Sequence, residues 1–193
     1  MNESAFKNAE KRYEAAKAAN RLTKINVPDI VLKEVSAWAD EMVKAKMSEN
    51  HRKRDPNSMK KREITGKLAE WAIIERFLGI PGKVDMSIGC SKDYAVADLG
   101  DAGYNLGVKA VSEENIAPLV PLNPKGAELI AVYSEKDKAV YIAGIATKAI
   151  IAKYVDRNLV KDPNVRFKGG FGRYDKLLPP TEMWMNVFKK SAT

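Results

Sequence analysis

The chain has 193 residues, 45% of them hydrophobic, enough for one domain with a real core and cramped for two. Its 33 Lys and Arg against 25 Asp and Glu give a formal charge of +8, which favours a polyanionic partner. One cysteine (Cys90) and one histidine (His51) exclude an internal disulfide, a cysteine-rich zinc site, His triads and paired-His metal sites, so catalysis here has to run on carboxylates, lysine or a hard metal. No apolar run approaches the length of a membrane span and the N-terminus is polar, which predicts a cytoplasmic protein with no membrane partner.

Residues 3–22 are rich in Ala, Lys, Glu and Arg without Gly or Pro, and predict a polar surface helix of modest role. From Pro28, the positions Ile30, Val31, Val35, Trp38, Ala39, Met42 and Val43 recur at helical spacing, predicting an amphipathic helix to about residue 48. Residues 49–62 lack that periodicity and carry Arg52, Lys53, Arg54, Lys60, Lys61 and Arg62, the pattern of a loop or mobile arm. Such an arm is either a solvated linker or a phosphate-contacting segment, and its place beside the carboxylates described below favours the second.

A helix is predicted from Glu63 to Leu78, ended by Gly79, Pro81 and Gly82. Short strands are then predicted at Val84–Ile88, Tyr94–Leu99, Tyr104–Ser112, Glu128–Ser134 and Ala139–Ile145, with Lys136-Asp137 at a hairpin centre. Thr147 caps a predicted helix to Asp156, and an irregular stretch with Gly169, Gly170, Gly172 and Pro179-Pro180 leads to a terminal helix over Thr181–Lys189. The order argues an α/β (α+β) fold: a mixed sheet flanked by helices, with an N-terminal helical extension. Residues 1–60 supply N-terminal helices and a basic linker packed on a core of residues 61–193 with a C-terminal extension, together one structural domain.

On a helical wheel Glu70 falls among Ile73, Ile74 and Phe77, a costly place for a carboxylate that predicts a cation, a metal or a hydrogen-bond donor facing it. Further on, Tyr94 to Val111 reads as a strand, a Gly-Asp-Ala-Gly turn and a second strand. If the loop is Asp101-Ala102, Asp98 pairs with Asn105 and alternation places Asp98, Gly107 and Lys109 on one face; a three-residue loop puts Lys109 on the other.

The helix segment Gly66-Lys-Leu-Ala-Glu-Trp-Ala72, an Asp at a strand end and a strand ending in Val108-Lys109 resemble the core of the PD-(D/E)XK, or restriction-endonuclease-like, nucleases over roughly residues 62–150. The resemblance implies a Mg²⁺-dependent endodeoxyribonuclease, with Mn²⁺ as a substitute metal. Glu70 and Asp98 would be metal ligands, with the backbone carbonyl of Val108, and Lys109 would orient or activate the attacking water. The triplet reads Gly107-Val108-Lys109, with no acid at its first position. Three explanations stand: a carboxylate migrates in, Asp101, Glu113 and Glu114 being nearest in sequence; carbonyl and water complete the shell; or the site is degenerate and the chain only binds.

Residues 167–174 mix cations, glycines and aromatics, so Lys168 and Arg173 join Arg52, Lys53, Arg54, Lys60, Lys61 and Arg62 as candidate nucleic-acid contacts. DNA is the first partner expected, RNA an alternative, and a homodimer is left open. Two other functions compete: a catalytically degenerate nucleic-acid-binding module of the same fold, and a basic domain that meets an acidic protein.

Overall fold

The computed structural model describes residues 2–48, 55–82, 84–88, 98–162 and 164–190. In chain order the elements are α1 (Glu3–Ala18), β1 (Thr23–Asn26), α2 (Asp29–Ser48), α3 (Pro56–Trp71), β2 (Leu106–Ser112), β3 (Leu119–Pro121), β4 (Ala127–Ser134), β5 (Ala139–Ala146), α4 (Lys148–Tyr154), β6 (Lys168–Gly170) and α5 (Glu182–Val187). A four-stranded sheet runs β1-β5-β4-β2; β2 lies parallel to β4, and the other pairings are antiparallel. A second, two-stranded sheet pairs β3 with β6. This is the mixed α+β architecture expected, with helices on both faces.

The central strands are buried on both sides, which is why they read as continuous apolar runs rather than alternating ones. On β4, Leu129, Ala131 and Tyr133 enter one core with Leu68, Ala69 and Ile73, whereas Ile130 and Val132 enter the other with Ala9, Tyr13 and Phe171. On β5, Val140 and Ile142 face the first core and Ala143 the second, but Ile145 returns to the first. The register slips there: Ile130 pairs with Gly144 while Ala131 pairs with Ile142. Such a bulge inverts the alternation beyond it. Gly144 carries it at φ +138°, where a Cβ would stand 2.5 Å from the Leu178 carbonyl oxygen.

The N-terminal helix is more than a polar surface element. Ala9, Tyr13 and Ala16 are buried, a narrow stripe at i, i+4 and i+7 that closes the second core. Lys17 fixes its end, pairing with Glu113 at 2.9 Å and Asp137 at 2.8 Å, while the Tyr13 hydroxyl donates to Glu113 at 2.9 Å. The small apolar count hid the stripe, since alanine and a single tyrosine barely disturb a polar average.

Three further expectations are corrected. Residues 56–62 are the first turns of α3, not a loop or arm: Pro56 opens the helix and Asp55 caps it, accepting from the Ser58 N–H at 2.7 Å. Cation density masked this N-cap signal. Val84 and residues 85–88 are not a strand. The helix predicted to Leu78 leaves α-geometry after Trp71 and continues as a π-turn over Ala72–Phe77. The strand over Tyr94–Leu99 falls largely outside the described residues, and its end, Asp98-Leu99, lies in a turn. Strand β1 and the β3–β6 pair had no expectation attached, being three or four residues long with Lys, Asn, Pro or Gly among them. No helix among the described residues is long and apolar enough to cross a membrane.

Candidate functional site

Helix α3 delivers two ionised side chains to its apolar side. Lys67 is 8% exposed; its ammonium donates to Glu70 Oε2 at 2.7 Å and to the Asp85 carbonyl at 2.6 Å, and lies 4.7 Å from the centre of the Trp38 ring. The cation that the position of Glu70 demanded is thus Lys67, one turn earlier. Burial still pushes the Glu70 carboxyl above the usual carboxylate range, Lys67 opposes the rise, and the charges of Asp98 and Asp85 add to it.

The turn after Asp98 is longer than either loop considered. The Leu99 N–H donates to the Leu106 carbonyl at 3.1 Å and the Tyr104 N–H to the Leu99 carbonyl at 3.0 Å, which encloses Gly100–Gly103. Asp98 therefore stands by Val108 rather than Asn105, and its Oδ2 accepts from the Val108 N–H at 2.6 Å. Lys109 still reaches it: Nζ is 3.7 Å from Asp98 Oδ2 and donates to the Val108 carbonyl at 3.1 Å, so the candidate backbone ligand is engaged by the candidate catalytic lysine.

The acid absent at position 107 stands on the neighbouring strand. Gly107 pairs with Glu128 in the parallel register of β2 and β4, and a Cβ built on Gly107 would lie 2.1 Å from Glu128 Oε2. The Glu128 carboxylate occupies the space that a residue-107 side chain would enter. Its Oε2 is 3.3 Å from Lys109 Nζ, close enough to pair by charge but outside hydrogen-bonding geometry, and it is buried with no hydrogen-bond partner. Burial holds this carboxyl above the usual range, against Lys109 and with a contribution from Asp98. Two carboxylates thus bracket one ammonium at the sheet edge. The sequence carries one hint: Glu128 is the single charge in the apolar run Ala127–Ser134.

The other acids considered lie elsewhere. Asp101 is exposed in the turn; Glu113 is held well below the usual carboxylate range by Ser134, Lys17 and Tyr13; Glu114 is 69% exposed opposite Lys61. Of the candidate nucleic-acid contacts, Arg52, Lys53 and Arg54 lie outside the described residues. Lys60 pairs with Asp40 at 2.7 Å, Arg62 with Glu63 at 3.1 Å, and Lys61 sits 3.7 Å from Glu114, all on α3 rather than on an arm. Lys168 is exposed on β6, near enough for its charge to act on Glu128. Arg173 is committed: it grips Asp175 with two hydrogen bonds of 2.8 and 2.7 Å and lies 4.8 Å from the centre of the Tyr154 ring. Of the aromatics nearby, Phe171 and Tyr174 are core, while Phe167 is 84% exposed.

Among the described residues no group of three or more His, Cys, Asp or Glu side chains is placed to hold a metal ion. Asp98 and Glu128 nevertheless suit Mg²⁺, which commonly takes one or two carboxylates and completes its shell with water and phosphate oxygens. The unpartnered oxygen of Glu128 is a ready ligand in a cation-seeking position. No protein-family model, curated protein or solved structure matches this chain, so the site is read from its own geometry.

Proposed function

We propose that the protein is a metal-dependent nuclease with a restriction-endonuclease-like core, hydrolysing nucleic-acid phosphodiester bonds at a site made of Asp98, Glu128 and Lys109, with Glu70 behind them. The observation that carries this reading is the Glu128 carboxylate, buried, unpartnered and seated where Gly107 leaves room for it. It supplies from β4 the acid that the Gly107-Val108-Lys109 triplet lacks. Asp98 and Glu128 would hold Mg²⁺ or Mn²⁺, which polarises the scissile phosphate and lowers the cost of forming hydroxide from bound water. Lys109 lies between the two carboxylates, where its ammonium neutralises them in the free protein and hydrogen-bonds the attacking water or a phosphate oxygen in the complex. Glu70, kept in place by Lys67, adds negative potential behind the site. The charge of +8 favours encounter with the polyanion.

The test is incubation with supercoiled plasmid and with labelled single- and double-stranded oligonucleotides in Mg²⁺, Mn²⁺ or EDTA, beside Lys109→Ala. Metal-dependent cutting that the variant lacks, with binding retained, is expected. Wild-type cutting by Lys109→Ala would remove the assignment. The missing three-ligand group and the Lys67–Glu70 ion pair favour a second reading, a binding module of the same fold without catalysis. Mobility shifts without cutting in either metal would select it.

A further inference from the structure

A cleft of about 800 Å³ opens beside the candidate site, between the first turns of α3 and the edge strand β2, and Lys109 lines it. Its floor is apolar, made of Met59, Ala110, Val111, Ala117, Leu119 and Val160. Its rim is charged, with Lys61 and Arg62 on the α3 wall and Lys161 and Lys168 on the opposite one. The acids along it offer little competition: Asp55 caps α3, and Glu114 makes only an exposed pair with Lys61 of the kind that salt screens away.

This combination separates two forms of nucleic acid. A duplex turns its phosphates outward and stacks its bases inward, so it would meet the cations and leave the apolar floor uncovered. An unpaired strand shows both phosphates and base faces, and cationic grooves with apolar or aromatic surfaces are how such strands are held. The volume lies in the range of pockets that enclose small organic ligands, room for roughly one or two nucleotides.

We propose that this cleft binds a single-stranded stretch of nucleic acid, with bases on the Leu119–Ala110 floor and phosphates on the Lys61, Arg62, Lys161 and Lys168 rim, and leads it to Lys109. Only the last step, delivery to a reacting centre, rests on the nuclease reading. The substrate class then becomes single strands, or duplexes with an unpaired segment such as a frayed end, flap or bubble.

Binding is measured by fluorescence anisotropy of a labelled oligo-dT 20-mer and a 20-base-pair duplex on the full chain in EDTA, where metal-dependent cleavage is blocked. The single strand is expected to bind at least tenfold more tightly. Leu119→Glu, which places an anion on the floor at a position already 38% exposed, is expected to weaken single-strand binding at least tenfold and change duplex binding less than twofold. Lys161→Glu on the rim provides a second variant at a surface position, and circular dichroism melts check both folds. Duplex binding as tight as single-strand binding, or single-strand binding unchanged by both variants, overturns the proposal. Adding Mg²⁺ separates the two readings. A single-strand preference without cutting in Mg²⁺ or Mn²⁺ leaves the cleft standing and removes the nuclease; cutting of plain duplex with no such preference does the reverse.

Discussion

Gly107→Ala tests whether Glu128 has taken over an acid's place in the site. The added Cβ would lie 2.1 Å from Glu128 Oε2 and 3.0 Å from its Cδ, and no other residue comes close to it. Contact between non-bonded heavy atoms settles near about 3.5 Å, so the carboxylate has to retreat by more than ~1 Å. The atoms that must move are the far end of a flexible side chain, so the strain stays local. Forcing Glu128 off its rotamer costs about 0.5–1.5 kcal/mol. Replacing glycine by alanine inside a strand returns about 0.5–1 kcal/mol. The net change is within ~1 kcal/mol, a melting shift of no more than about 4 °C for a chain of this length. Activity responds differently, because a displacement of ~1 Å in a reacting group costs on the order of 100-fold in rate. Initial rates of Mg²⁺-dependent cleavage and a circular dichroism melt, run on the same preparation, read the two effects apart. A folded Gly107→Ala protein cleaving within threefold of wild type would refute the role given to Glu128. Conversely, Gly107→Asp combined with Glu128→Ala moves the acid back to β2, and it is expected to recover at least tenfold over Glu128→Ala alone.

Glu128 also links stability to pH. Its carboxyl titrates above the usual range, so the folded chain holds that proton more tightly than the unfolded chain does, and stability is lost as pH rises from the ordinary carboxylate value through the raised one. Glu128→Gln is expected to raise Tm near pH 7.5, to gain nothing near pH 4, and to lose cleavage; an unchanged or lower Tm at pH 7.5 would contradict the burial argument. At the other end of the sheet the sign reverses. Asp137 is held at about 2 by Lys17 and Tyr141, and Glu113 is also depressed, so their contribution is present above ordinary carboxylate values and lost as pH falls. Lys17→Met should cost about 2 kcal/mol in neutral urea melts, with the gap to wild type narrowing from about pH 5 to about pH 3. Because Arg173 is locked to Asp175, Arg173→Gln should leave nucleic-acid affinity within twofold, whereas Lys61→Gln with Arg62→Gln should weaken it several-fold and flatten its logarithmic salt dependence by roughly 1.

The sequence by itself determined the elements whose signals are local. The amphipathic stripe after Pro28 gives α2, the apolar runs give β4 and β5 with their Lys136-Asp137 turn, and Thr147 caps α4, accepting from the Ile150 N–H at 3.2 Å. It also singled out Glu70, Asp98 and Lys109, because a carboxylate on an apolar helix face and an Asp–Lys pair around a turn are visible in spacing alone. What it could not decide was which strands become neighbours. Gly107 and Glu128 are 21 positions apart, joined by a crossover, and only the parallel pairing of β2 with β4 brings them together. Proximity in sequence pointed to Asp101, Glu113 and Glu114, none of which flanks Lys109. The same limit explains Lys67, read as one more surface cation until Trp38 and the Asp85 carbonyl closed around it. A helix or a turn is fixed by interactions a few residues long, whereas a site is assembled by long-range pairing, and the partner that satisfies a buried charge is chosen only when the chain closes on itself.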